Sequence, residues 1–279
     1  MSIHYLAIGH LTRDLTADGA RLGGTVAFAA LTARAMGYGP GIVTSFGQEA
    51  PLSALAGIAL HQKTAPHTTT FENRYQNGAR LQFLRGRAAD LAADDVPTEW
   101  LRAPLIHLAP VAREVDQGLT AAFPGAYIGL TPQGWLREWD EAGRVTTGTD
   151  GDRLMQTLAA TTATVLSLED VGSDWAVIES WARQAPVLAV TRGKEGATVF
   201  VRQAGARDFK APPQREVDPT GAGDIFAAAF FIHHYETGDP WAAARVANHI
   251  ASISVTRVGL EGVPTTEDVG LARLRAETT

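Results

Sequence analysis

The chain has 279 residues, enough for one large α/β domain or two small ones, and its 45% hydrophobic and 19% charged make-up is that of a soluble globular protein. A net charge of −6 argues against a general binder of nucleic acid or of anionic membranes, and leaves room for a local basic pocket. There are no cysteines, which excludes disulfides, thiolate nucleophiles and zinc–thiolate sites.

Met1–Gly9 lacks the basic start and long apolar stretch of a signal peptide. No segment approaches about 18 uncharged apolar residues, so no membrane span is expected and a cytoplasmic location is the reading. Ile3–Gly9 reads as a first buried strand. Gly24–Gly37 reads as a helix, with Val26, Ala29, Ala33 and Met36 at helical spacing. Gly41–Phe46 and Gly57–Gln62 are strand candidates around a short helix at Leu52–Ala56. Strands alternating with helices predict a mainly parallel sheet covered on both faces.

The segment His67–Arg87 breaks this rhythm. Thr68–Tyr75 is rich in threonine and aromatics, Asn77-Gly78 is a hairpin turn signal, and Ala79–Leu84 supplies a return strand. Leu11–Leu22 is expected to join this hairpin, which suggests a lid over a cleft. Arg74, Arg80, Arg85 and Arg87 make the hairpin basic, a pattern that fits a solvated face better than a phosphate clamp.

The alternation then resumes. Leu105–Leu108, Ala126–Leu130, Ala163–Leu168 and Val187–Thr191 are expected strands, and Glu114–Ala122, Asp152–Ala160 and Ser173–Gln184 expected helices. Pro132–Asp150 reads as an extended loop. Ala197–Arg202 and Arg207–Lys210 read as antiparallel edge strands. Helices are expected at Gly221–Glu236, at Pro240–Thr256 and after Thr266. No linker divides the chain, so residues 1–279 read as a single domain with a lid from about 11–22 and 67–87.

The most informative stretch is Asp218-Pro-Thr-Gly-Ala-Gly-Asp224, followed at once by the apolar run Ile225–Ile232. Gly221, Ala222 and Gly223 leave the backbone open where a helix begins. Its first N–H groups have no partner inside the helix, and the dipole makes that end positive, so an anion such as phosphate can dock there. Asp224 sets a carboxylate beside that anion. The task that explains it is taking a proton from a hydroxyl as phosphate is transferred to it. An aspartate titrates near about 3.9 in water, so Asp224 is expected to be ionised near neutral pH.

This segment closely resembles the C-terminal signature of the ribokinase/PfkB family of carbohydrate and nucleoside kinases. Further stretches are similar to that family in the right order. They are Gly9–Asp14, Gly23-Gly24 before an alanine-rich helix, Thr191-Arg-Gly-Lys-Glu-Gly196, Ala247-Asn248 and Ser254–Arg257. The resemblance implies a ribokinase-like three-layer α/β sandwich with a mainly parallel central sheet and a small β-hairpin lid. It implies ATP and Mg2+ as cofactors and a small sugar, polyol or nucleoside as partner. In parts of the family it also implies a monovalent-cation site, here at Asp218 and Thr220. Lid strands in the family often pair between subunits, which makes a homodimer through the lid compatible with the sequence.

Carried over residue by residue, the resemblance makes Asp224 the catalytic base and Gly221, Ala222 and Gly223 the anion hole. Asp14, Gly23 and Gly24 become acceptor contacts, since a carboxylate offers acceptor sites to two neighbouring hydroxyls. Thr191, Gly193, Gly196 and Asn248 become ATP contacts. Many family members carry asparagine where this chain has Phe28. Either the substrate is more apolar there, with Thr25 compensating, or Phe28 is core. Ser167-Leu-Glu-Asp170 stands where the family usually has Asn-x-x-Glu, so Asp170 is the magnesium candidate, with Glu169 competing and a capped helix start as the plain alternative. The expected activity is ATP-dependent phosphorylation of a hydroxyl on a small sugar or polyol, cyclitol-like in the favoured reading. The alternatives are a nucleoside kinase, or a non-catalytic ligand-binding protein that keeps the fold.

Overall fold

Tyr5–Ile8 (β1) is apolar at every position and fully buried, as a strand covered by helices on both faces must be. The computed structural model describes residues 2–16, 19–76, 79–148 and 151–277. After β1 come two short strands, Thr12–Thr16 (β2) and Gly19–Gly23 (β3), then the helix Thr25–Ala35 (α1). Pro40–Phe46 (β4), Ala59–Thr64 (β5), Thr69–Gln76 (β6) and Ala79–Gly86 (β7) follow. The central part carries Leu105–Leu108 (β8), Tyr127–Leu130 (β9), Arg137–Trp139 (β10), Val145–Thr147 (β11) and the helix Gly151–Ala159 (α2). The last third holds Ala163–Ser167 (β12), Trp175–Ala182 (α3), Val187–Thr191 (β13), Ala197–Val201 (β14) and Gly205–Phe209 (β15). It ends with three helices, Ala222–Thr237 (α4), Pro240–Ser254 (α5) and Thr266–Glu277 (α6).

Nine strands form one sheet in the order β15-β14-β13-β12-β9-β8-β1-β4-β5. The pairs from β5 to β13 are parallel, and β14 and β15 add antiparallel pairs at one edge. Side chains alternate between two cores, as the period of a strand requires. Tyr5 and Ala7 join α1, α4 and α5 on one side, while Leu6 and Ile8 join Leu119, Phe123, Ile178 and Trp181 on the other. The run Ile225–Ile232 is buried all round, so α4 is a central helix rather than a surface one. Local chemistry fixes the helix starts. Asp174 caps α3 through the N–H groups of Ala176 and Val177, and Asp239 caps α5 ahead of Pro240.

A second sheet, in the order β3-β2-β6-β7, forms the lid. Both expected lid segments contribute to it, and the Asn77-Gly78 turn lies outside the described residues. His10 ties its base to β1. The ring Nε2 donates to the Ala89 carbonyl at 2.8 Å, which leaves Nδ1 to accept from the Thr69 hydroxyl at 2.7 Å.

Two expectations change. Pro132–Asp150 is not a plain loop. After a 3-10 turn at Pro132–Leu136, β10 and β11 pair antiparallel and lean on the lid, where the Leu84 N–H donates to Gly143 O at 2.7 Å. The helix expected at Glu114–Ala122 is only a 3-10 turn at Gln117–Ala122. Its first residue is used elsewhere. Glu114 is 1% exposed, and its carboxylate accepts the N–H groups of His10 at 2.9 Å, Val111 at 3.0 Å and Ala112 at 2.6 Å. It thereby clamps the loops leaving β1 and β8. Glu114→Ala orphans these buried donors, so urea unfolding should show a loss of about 3 kcal/mol or more. A loss below about 1 kcal/mol would show that the clamp is unimportant.

Candidate active site

Ligands of open α/β sheets bind beyond the carboxyl ends of the strands. At that end of this sheet the N-termini of α1 and α4 meet. Gly24 caps α1 with φ +92, and a Cβ there would collide with the His10 carbonyl, so only glycine lets the chain turn into the helix at this point. Gly221 caps α4 with φ +80. A side chain on it would strike the ring of Phe28, which is 2% exposed. Phe28, read from the sequence as either an acceptor contact or core, lies buried beneath the Gly221 turn. Nothing crowds Gly223, which leaves that part of the loop open to a ligand.

Thr25 and Asp224 join the two helix starts. The Thr25 hydroxyl donates to Asp224 Oδ1 at 2.7 Å. The sequence makes Thr25 a candidate contact for substrate hydroxyls, and in the structure its hydroxyl orients the Asp224 carboxylate. Asp224 is half-buried. That burial pushes its pKa up to about 6, Asp170 and Asp14 add to the rise, and Thr25 and the Arg137 charge oppose it. Desolvation thus moves Asp224 well above the ordinary aspartate value expected from the sequence. A carboxylate with a pKa near 6 is still mostly ionised at neutral pH, and it is a better proton acceptor than an exposed one.

Asp14 lies on β2 and accepts the Thr12 hydroxyl on Oδ1 at 3.0 Å. A Cβ on Gly23 would overlap Asp14 Oδ2. The bare backbone of Gly23 is what lets the carboxylate lie against this turn. The fold therefore brings Asp14, Gly23, Gly24, Thr25 and Asp224 together from residues about 200 positions apart.

The expected nucleotide contacts form a second group. Thr191 ends β13, Gly193 has open space at its Cα, and Gly196 is packed against the backbone of Phe209 and Ala211. Asn248 is 4% exposed, and its side-chain amide donates to Phe209 O at 3.2 Å. It holds the same backbone segment that presses on Gly196, rather than standing on an open helix face.

Asp170 caps a 3-10 turn. Its Oδ2 accepts the Ser167 N–H at 2.9 Å and its Oδ1 accepts from the Gln133 amide at 3.2 Å. Burial raises its pKa against the pull of these bonds and of Arg137. Glu169 is exposed. Among the described residues no group of three or more His, Asp or Glu could hold a metal ion. The site therefore fits a magnesium held mainly by donor phosphates with one carboxylate nearby, and does not fit a dedicated metal cage. Asp218 accepts the N–H groups of Thr220 at 3.0 Å and Gly259 at 2.9 Å, which anchors the start of the phosphate loop.

The lid arginines are engaged in holding the lid. Arg74 and Arg85 both pair with Glu72 and flank the Phe83 ring, and Arg87 bonds Asp90 and the Ala112 carbonyl. The side chain of Arg80 lies outside the described residues. The sequence reading missed Arg137, whose charge acts on both Asp224 and Asp170. Its position in a glycine-rich, aperiodic stretch gave no signal.

Known proteins resemble this chain in sequence and fold. The model of the pfkB family carbohydrate kinases matches residues 169–266, which contain both the Ser167–Asp170 turn's acids and the Asp218–Asp224 loop. A cytidine kinase of Thermococcus kodakarensis is 26% identical over 84% of this chain and 89% of its own length. A pyrophosphate-dependent kinase in the ribokinase family, solved with a pyrophosphate analog and myo-inositol, superposes with a TM-score of 0.76 at 18% identity, covering 95% of this chain and 99% of that one. The ribokinase of Arabidopsis thaliana, solved with ribose and ATP, gives 0.74 at 17% identity over 98% and 99%. A helix-capping glycine turn, a carboxylate at its end and the ribokinase fold coincide in one chain, whose residues 169–266 match the pfkB family of carbohydrate kinases.

Proposed function

We propose that this kinase transfers the terminal phosphoryl group of ATP to a hydroxyl of a small sugar or polyol, with cyclitols a favoured class. The observation that carries the reading is the Thr25–Asp224 hydrogen bond at the meeting point of the two helix starts. It sets a base of raised pKa between the Asp14–Gly23 turn and the phosphate loop. Asp14 accepts hydrogen bonds from two neighbouring acceptor hydroxyls. Asp224 takes the proton of the reacting hydroxyl as its oxygen bonds to phosphorus, and the bond from phosphorus to the departing diphosphate breaks. The N–H groups at Gly221–Gly223 hold the phosphoryl oxygens as charge gathers on them. Magnesium, when bound, supplies charge neutralisation on the donor phosphates, and Asp170 is the acid nearest to serve it. The lid sheet excludes water, which is a competing acceptor.

A nucleoside acceptor is the second reading, favoured by the likeness to the cytidine kinase over most of the chain. Aromatic chemistry weighs against it. Phe28 is buried under Gly221, and the Phe71 ring is covered by the Arg137 guanidinium at 5.2 Å. Neither offers a free face to a base.

The acceptor question is decided by thermal shift with sugars, cyclitols and nucleosides, each beside ATP or pyrophosphate, followed by 31P NMR of the hits. Stabilisation and phosphorylation confined to sugars or cyclitols with ATP is the expected result. Turnover of nucleosides alone, or with pyrophosphate alone, would replace this reading.

Asp224→Asn keeps an oxygen for the Thr25 hydroxyl and loses the base. Turnover should fall by about 100-fold or more while ATP still binds. In the wild type, kcat/KM should fall as pH drops through about 6, because the protonated carboxyl cannot accept the proton. A carboxyl whose pKa rises on folding favours the fold only while protonated, and that benefit is lost above about pH 6. The Asn variant should therefore melt no lower than wild type at pH 8. Near-normal turnover of this variant contradicts the role given to Asp224.

A further inference from the structure

Two carboxylates, Asp170 and Asp14, act on a third, Asp224, at the point where a polyanionic donor must arrive. Each raises the cost of charge on Asp224, and the donor adds more negative charge. Such a site needs a fixed cation. Among the groups that act on Asp224, Arg137 supplies it.

The structure shows how Arg137 is held. It opens β10, one arm of the hairpin that leans on lid strand β7. One guanidinium nitrogen donates to Val111 O at 2.9 Å, in the loop that Glu114 clamps. The guanidinium lies over the ring of Phe71, 5.2 Å from its centre. Phe71 sits on lid strand β6 directly opposite Asp14 of β2. The lid residue that pairs with the expected acceptor carboxylate thus seats the cation whose charge acts on Asp224. A guanidinium suits this role because it stays charged and stacks on an aromatic face.

We propose that Arg137 is a positioning residue of the phosphoryl-transfer centre, seated by the lid: it balances the carboxylates around the reacting hydroxyl, and Phe71 fixes where that charge stands. This rests on Asp224 acting as the base. The groups that face Asp224 are Thr25 from α1, Asp14 from β2, Asp170 from the turn after β12, Arg137 from β10 and the buried Tyr5 of β1. Of these, only Arg137 brings a positive charge. Removing that charge makes the ionised carboxylate harder to form, so the acid limb of activity moves to higher pH.

The test is the titration of Asp224 by carboxyl 13C NMR, beside pH profiles of kcat/KM, in wild type, Arg137→Met, Arg137→Lys and Phe71→Leu. Arg137→Met should move both midpoints upward; for a one-unit rise from about 6, kcat/KM falls by about twofold at pH 7 and by about tenfold well below pH 6. Arg137→Lys keeps the charge without the planar stack and should fall between wild type and Met. It also carries the test if the Met variant does not fold. Phe71→Leu should shift the midpoints in the same direction as Lys.

A purely structural Arg137 would lower the melting temperature of the Met variant and leave the Asp224 midpoint where it was. That result overturns the proposal, as does an unmoved midpoint in Phe71→Leu for the part given to the lid. The NMR midpoint does not depend on turnover. If wild type phosphorylates no acceptor while the midpoint still shifts, the kinase assignment of Asp224 fails and the placement of Arg137 stands.

Discussion

The hydrogen bond from the Thr25 hydroxyl to Asp224 is the contact on which the site depends. It ties the first residue of α1 to the third of α4, two helices whose starts are set by glycines in conformations other residues rarely adopt. On one side of it lie Asp14 and the Gly23 turn. On the other lies the Gly221–Gly223 turn that opens α4, where the Ala222 N–H donates to the Pro219 carbonyl at 3.2 Å. The Phe28 ring fills the space under Gly221, so α1 supports the phosphate loop from below while Thr25 fixes the carboxylate from the side. One helix thereby sets both the shape of the anion site and the direction of the base.

Charge shapes the rest. Burial raises Asp224 and Asp170, and Asp170 makes Asp224 harder to ionise. Backbone donors and hydroxyls satisfy the carboxylates nearby. Glu114 takes its N–H groups from two loops, and Asp218 takes its own from Thr220 and from Gly259 beyond α5. Arg74 and Arg85 of the lid are spent on Glu72, and Arg87 on Asp90 and the Ala112 carbonyl.

The strands of the main sheet were legible because buried parallel strands are short runs of apolar residues, as in Tyr5–Ile8 and Val187–Thr191. The Asp218–Asp224 loop was legible because its chemistry is local. What joins it to the acceptor side was not. Thr25 stands 199 residues from Asp224, and only the fold brings them together. Phe28 carries no mark that separates a substrate contact from a ring under a glycine. Glu114 looked like the start of a helix because a carboxylate that accepts loop N–H groups has the same sequence appearance as one that favours a helix dipole. Arg137 was hidden in a stretch of tryptophans and glycines with no period, whose hairpin forms only against the lid.

The central claim is that Thr25 orients and charges Asp224 for proton transfer. Its most direct test is the pH profile of kcat for Thr25→Val beside Thr25→Ser. Valine keeps the shape and removes the hydroxyl. The account predicts that kcat falls in the valine variant and that its acid limb moves above the wild-type position, with serine restoring both. A valine variant with the wild-type profile would show that the bond does not govern the reaction.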